Sequence, residues 1–135
     1  MKIFREKESP LRSADPASFV GPVRTTLLAS GEEGAPVHLY RVEFEDGGRT
    51  NWHTHSGAQW LFIIAGRVRV QRWGEAAEDA AEGDAILFAP GEKHWHGASP
   101  TSAMVHIAMQ EGLDGVHVTW MEHVTDAQYG GAVGS

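Results

Sequence analysis

Apolar and polar positions alternate with a period of two over much of the chain, the spacing of half-buried strands. Residues 37–44, VHLYRVEF, put Arg41 and Glu43 on one face and His38, Tyr40, Val42 and Phe44 on the other. RVRVQRW (67–73) turns Arg67, Arg69 and Gln71 outward and Val68 and Val70 inward. AQWLFIIA (58–65) and SAMVHIAMQ (102–110) are apolar on both faces, as strands covered from both sides would be. PVRTTLLA (22–29), DAILFA (84–89) and VHVTW (116–120) read as further strands. Ser30-Gly31, Asp46-Gly47-Gly48 and Pro90-Gly91 are turn signals, and Gly66 ends the 58–65 run. Residues 6–18, with two prolines, read as an irregular N-terminal arm. Thr125 with Gln128 three residues later is a capping-box pattern that predicts one helical turn, and the GGAVGS tail (130–135) is expected to fray. Seven or more short strands and almost no helical periodicity predict a sandwich or closed barrel, one all-β domain over 1–135.

Composition narrows the function classes. In 135 residues there is no cysteine, which removes disulfides, thiolate metal sites and cysteine nucleophiles. A net charge of -7 without a basic stripe argues against a nucleic-acid partner. The first ten residues hold no apolar signal core, and the longest apolar run, Leu61 to Ala65, is too short for a membrane span. Cytoplasmic localisation is the expectation. The chain is rich in histidine, with eight at 38, 53, 55, 94, 96, 106, 117 and 123.

Positions i and i+2 of a strand face the same way, so His53 and His55 project together, as do His94 and His96 after the Pro90-Gly91 turn. Gln59 lies past the Ser56-Gly57 turn and can face the same space, and His106 shares its parity with Met104, Ala108 and Gln110. A single histidine would be read as an ordinary surface or core residue. Two such pairs are better explained by a shared divalent cation, since each desolvated imidazole needs a partner. Imidazoles with one oxygen donor suit Mn, Fe, Co, Ni or Zn.

These residues resemble the two sequence motifs of the cupins. The first motif is matched by Gly47, His53-Thr54-His55, Gln59 and Gly66 with its spacings intact; the second is matched by Gly83, Ala89-Pro90-Gly91 and His94. Together they cover residues 47 to 98. The resemblance implies a cupin jelly-roll β-barrel with one metal held by His53, His55, Gln59 and His94. Two departures stand out: glutamine replaces the usual glutamate, and alanine replaces the first proline of the second motif. A neutral amide leaves more of the ion's charge uncompensated and should make it a stronger Lewis acid.

The stretch PGEKHWHGASPTSAM and the ending DGVHVTWMEHVTDAQY further resemble the manganese-dependent cupin hydroxynitrile lyases. That likeness implies reversible cleavage of a cyanohydrin into an aldehyde or ketone and hydrogen cyanide, with Mn(2+) first among the candidate ions. His96 and His106 are then the candidates for moving the proton or for orienting a ligand, and Tyr40, Val42 and Gln110 line the substrate pocket. Trp52, Trp60 and Trp95 point away from the ligands and read as packing, and His117 and His123 as surface or interface residues; His38 is unassigned. An oxygen-activating enzyme acting on a small organic substrate, and a non-catalytic metal- or small-ligand-binding module, fit the same ligand set. Strands apolar on both faces predict a homo-oligomer, dimer or tetramer, unless the arm covers the second face.

Overall fold

One strand runs through both halves of the molecule. The computed structural model describes residues 1–112 and 118–133. Its elements are β1 (Arg12–Ser13), β2 (Phe19–Val20), β3 (Val23–Ala29), β4 (Val37–Phe44), β5 (Arg49–Thr50), β6 (His53–His55), β7 (Gln59–Arg72), β8 (Glu78–Ala81), β9 (Ala85–Phe88), β10 (His94–Ala98), β11 (Met104–Glu111), β12 (Val118–Trp120) and the turn of helix α1 (Asp126–Tyr129). All pairings are antiparallel. The first half of β7 pairs with β11 and β9 in a sheet continued by β4, β3 and β1. Its second half pairs with β10 and β8 in a facing sheet that carries β5, β2, β6 and β12. The result is a curled, closed barrel, one of the two architectures that the strand pattern predicts, and it has the jelly-roll form that the cupin resemblance implies.

Gly66 does not end the strand, as its residue type suggested; it bends it. At φ +76° it carries β7 from one sheet to the other, and a Cβ there would stand 1.9 Å from the Ala103 carbonyl oxygen. Beside it the β7–β11 register slips between Val105 and His106, a bulge that sharpens the bend.

Inward positions close one end of the barrel with Val23, Phe44, Ile63, Val68, Ala98 and Met104, all buried. Buried histidines succeed this plug along the same strands: on β11 the inward series runs Met104, His106, Ala108. A second cluster forms outside the barrel, where Trp52, Trp95, Val124 and Tyr129 pack together. It explains two corrections. Gln71 faces outward as its parity requires, yet it is buried, because the C-terminal segment lies over it. Its amide oxygen accepts from Trp95 Nε1 at 2.8 Å and its amide nitrogen donates to the Ala132 carbonyl at 2.9 Å. The same bond anchors the tail through Ala132, so this part of 130–135 is held; residues 134–135 lie outside those described. The predicted helical turn is present with its reciprocal capping box between Thr125 and Gln128.

The outer face of the other sheet is only partly covered. The arm, which contains a 3-10 turn (Glu6–Glu8) and β1, lies along β3 and β4, with Glu6 3.4 Å from Arg41. Across β7, β9 and β11 none of the described residues covers the outward side chains: Trp60 is 43%, Phe62 42% and Leu87 51% exposed, with Ile107 and Met109 half-buried beside them. Among the described residues the 58–65 stretch is therefore covered on one face only, and Trp60 is exposed rather than packed in a core. No helix among the described residues is long and apolar enough to cross a membrane.

Gly66→Ala should lower the stability by on the order of 3 kcal/mol, since it combines a left-handed backbone with a backbone clash. Gly74, at φ +85° with nothing within 4 Å of a Cβ, is the control; Gly74→Ala should cost about 1–2 kcal/mol. Urea unfolding of the two variants measures the gap, and equal midpoints would contradict the bend.

Candidate metal centre

Strand register brings the two histidine pairs together. His94 on β10 stands opposite His53 on β6, so the i,i+2 pairs from adjacent strands face one space. His53, His55, His94, His96 and His106 are all buried. Ring centroids are 4.3 Å apart for His53–His94, 5.0 Å for His53–His55 and 5.7 Å for His55–His94. Ligand nitrogens of His53, His94 and His96 all lie within 4.8 Å of one another. The tightest group thus includes His96, which the motif comparison placed outside the ligand set.

Two of the rings are oriented by their own strands. His53 Nδ1 donates to the Asn51 carbonyl at 2.8 Å, and His94 Nδ1 to the Glu92 carbonyl at 2.7 Å. Each bond fixes the tautomer and leaves the Nε2 lone pair free to bind a metal. Gln59 Nε2 donates to Gln110 Oε1 at 3.3 Å, which turns Gln59 Oε1 toward His94 Nε2 at 3.1 Å. In this orientation two lone pairs meet, an arrangement that a cation between them relieves. Behind this group His106 Nε2 lies 3.1 Å from His96 Nδ1, while His96 Nε2 and His106 Nδ1 are buried with no hydrogen-bond partner. With His96 Nδ1 as donor to His106, His96 Nε2 keeps a lone pair for a metal or a proton. The donor set therefore fits a divalent transition metal.

Burial keeps the rings neutral. It pushes His53 and His96 well below the ordinary 6.5, helped by neighbouring imidazoles that would repel a second charge. Burial likewise takes His94 to about 3, against the opposing pull of the Glu92 carbonyl, and His106 to about 3. Neutral imidazole is the ligand form.

A cavity of about 290 Å³ opens beside the cluster. Tyr40, Val42 and Gln110 line it, as do His53, His55, Gln59, His96 and His106. His94 sits behind, stacked on Phe88 with centroids 3.7 Å apart. No Asp, Glu, Lys or Arg is among the described residues that line it. Phe19, Trp120 and Val118 also line it, and no sequence reading singled them out. Trp120 stands opposite His53, and Val118 opposite His55, on the neighbouring strand; that register has no local sequence signal. Of the remaining histidines, His38 accepts from the Gly31 N–H at 2.9 Å and donates to the Gly112 carbonyl at 2.6 Å, and His123 is exposed; His117 lies outside the described residues. Trp52 and Trp95 are buried in the second cluster, as packing residues.

Comparison with known proteins bears on this geometry. The model of the cupin domain family matches residues 40–109. An (R)-mandelonitrile lyase of Granulicella tundricola is 53% identical over 111 residues, 82% of this chain and 85% of that protein. The crystal structure of a cupin-like protein from Thermotoga maritima superposes with a TM-score of 0.82 at 33% identity, covering 87% of this chain and 89% of the other. The polyketide cyclase RemF from Streptomyces resistomycificus shares the fold, with a TM-score of 0.72 at 17% identity over 96% of this chain and 90% of its own.

The depressed histidines set a pH dependence. Between their folded values and 6.5 the unfolded chain binds protons that the folded chain refuses, so stability present above pH 6.5 is lost as pH falls toward 3. With chelator present, the urea midpoint should drop from pH 7.5 to pH 5, and less steeply in His106→Gln. A midpoint that is flat over that interval would contradict burial of neutral rings.

Proposed function

The chain belongs to the cupin family, and on that premise we propose that it is a metal-dependent hydroxynitrile lyase, cleaving and forming cyanohydrins. The observation that carries this reading is a cluster of buried, neutral imidazoles, His53, His94, His96 and His106, at a cavity with no charged side chain among its described lining residues. It is supported by the 53% identity to the (R)-mandelonitrile lyase, which extends over most of both chains. His53, His55, His94 and Gln59, the set that the cupin motifs imply, would hold the ion, with manganese the first candidate; His96, although close to His53 and His94, is then left for the proton. Bound there, a divalent metal supplies Lewis acidity that lowers the pKa of a cyanohydrin hydroxyl.

The chain's own groups handle the proton. His96 lines the cavity, and its Nε2 has no partner. In the cleavage direction His96 takes the hydroxyl proton, the carbon–cyanide bond breaks as the carbonyl forms, and the proton goes on to cyanide. His106, 3.1 Å away, accepts from His96 Nδ1 and steadies the charge on His96 while it holds both protons. Gln59 adds no negative charge, so nothing on the chain neutralises the ion before substrate does. Tyr40, Val42 and Gln110 shape the space for the rest of the substrate. Burial raises the Tyr40 hydroxyl above its ordinary 10.0, which keeps it a hydrogen-bond donor at neutral pH.

The uncovered face of β7, β9 and β11 is proposed to pack against a second copy. Trp60 pairs across the strands with Leu87 and Met109, and Phe62 with Ile107, forming a continuous apolar strip of the kind that sheet-on-sheet packing buries. Light scattering should show a dimer or higher assembly that Trp60→Glu with Phe62→Glu converts to monomer. A monomeric wild type would remove the proposal.

For the chemistry, protein purified without added metal should contain close to one divalent transition ion per chain. It should release benzaldehyde from mandelonitrile. His53→Ala should abolish both the metal and the activity, and His106→Ala should keep the metal while lowering kcat by about 10²-fold or more. A metal-filled wild type that produces no benzaldehyde above background would end the lyase reading; oxygen uptake on a small organic substrate would replace it with oxidation.

A further inference from the structure

We propose that Phe19 and Trp120 form an aromatic clamp at the cavity that selects arene-bearing substrates over saturated ones of equal size. The inference deepens the lyase reading and rests on it for the choice of substrate class. The two rings come from opposite ends of the chain. Phe19, on β2, stands opposite Thr50; Trp120, on β12, stands opposite His53. They meet with centroids 5.3 Å apart at an interplanar angle of 54°, and Trp120 also lies 4.7 Å from the His53 ring at 40°. Trp120 is thus set between a candidate ligand and a second aromatic ring, yet it stays 39% exposed and lines the cavity. Tyr40, from the facing sheet, lines the same space.

The clamp is pre-organised by one buried residue. Asn51 Nδ2 donates to the Ala17 carbonyl at 2.9 Å and to the Met121 carbonyl at 3.0 Å, and the Asn51 N–H donates to the Ser18 carbonyl at 2.8 Å. These bonds pin the backbone directly before Phe19 and directly after Trp120. The Asn51 carbonyl orients His53 as well, so ring position and ligand position share one anchor. A substrate ring in the cavity therefore packs against this touching pair, whose aromatic groups need not be ordered on binding. Area burial alone would reward a saturated ring equally. The discrimination comes from the stacked and edge-to-face contacts that only an arene makes, about 3- to 10-fold per ring pair.

Benzyl alcohol and cyclohexylmethanol differ only in ring saturation and are inert to the proposed reaction. Calorimetric titration of the purified protein should give benzyl alcohol about tenfold tighter binding. Trp120→Leu and Phe19→Leu should each bring the ratio toward one with cyclohexylmethanol little changed, and Trp120→Phe should retain most of the preference. Should one leucine variant fail to fold by circular dichroism, the other, on a different strand, carries the test. A wild-type ratio near one, binding of neither alcohol, or a ratio unchanged in the leucine variants overturns the clamp. A clear ratio in a protein that turns over no cyanohydrin upholds the clamp and removes the lyase; turnover of mandelonitrile and its cyclohexyl analogue at equal kcat/KM does the reverse.

Discussion

The structure depends on keeping four buried imidazoles, those of His53, His94, His96 and His106, uncharged within a few ångströms of one another. A buried imidazolium would face both the loss of its hydration and the repulsion of its neighbours. Neutral imidazole removes that cost and leaves each ring one donor and one acceptor to satisfy. The backbone meets part of this demand locally: His53 and His94 each give their Nδ1 proton to a carbonyl two residues earlier, a bond available because each follows a turn or bend in the chain. The lone pairs left over converge, and that convergence makes the centre a candidate for a cation.

Much of this was legible in the sequence because it is local. An HxH on a strand fixes parity, and parity with the turn signals was enough to place His53, His55, His94, His96 and His106 inside and to anticipate a sandwich or closed barrel. The capping box of α1 was legible for the same reason. What was hidden is non-local. Gln71 obeys its parity, and only the distant C-terminal segment decides that an outward position is buried. Phe19 and Trp120 carry no signal in their own neighbourhoods; a two-residue strand and a three-residue strand bring them together. Gly66 looked like a terminator because a left-handed glycine serves equally well to end a strand or to bend one.

The substitution of an amide for a carboxylate in the first motif changes the electrostatics of the whole cavity. Among the described residues no lining side chain carries a fixed charge, so histidine protonation and whatever ion is bound would set the local potential there. The same feature gives Gln59 two partners, Gln110 and His94, and so links the wall of the cavity to the histidine stacked on Phe88.

β7 belongs to both sheets, and this limits how the molecule can open. Neither sheet can peel away while the other stays intact, because the fourteen-residue strand is hydrogen-bonded into each. The floor beneath the histidines is thereby tied to two sheets at once, and it yields only when both come apart together.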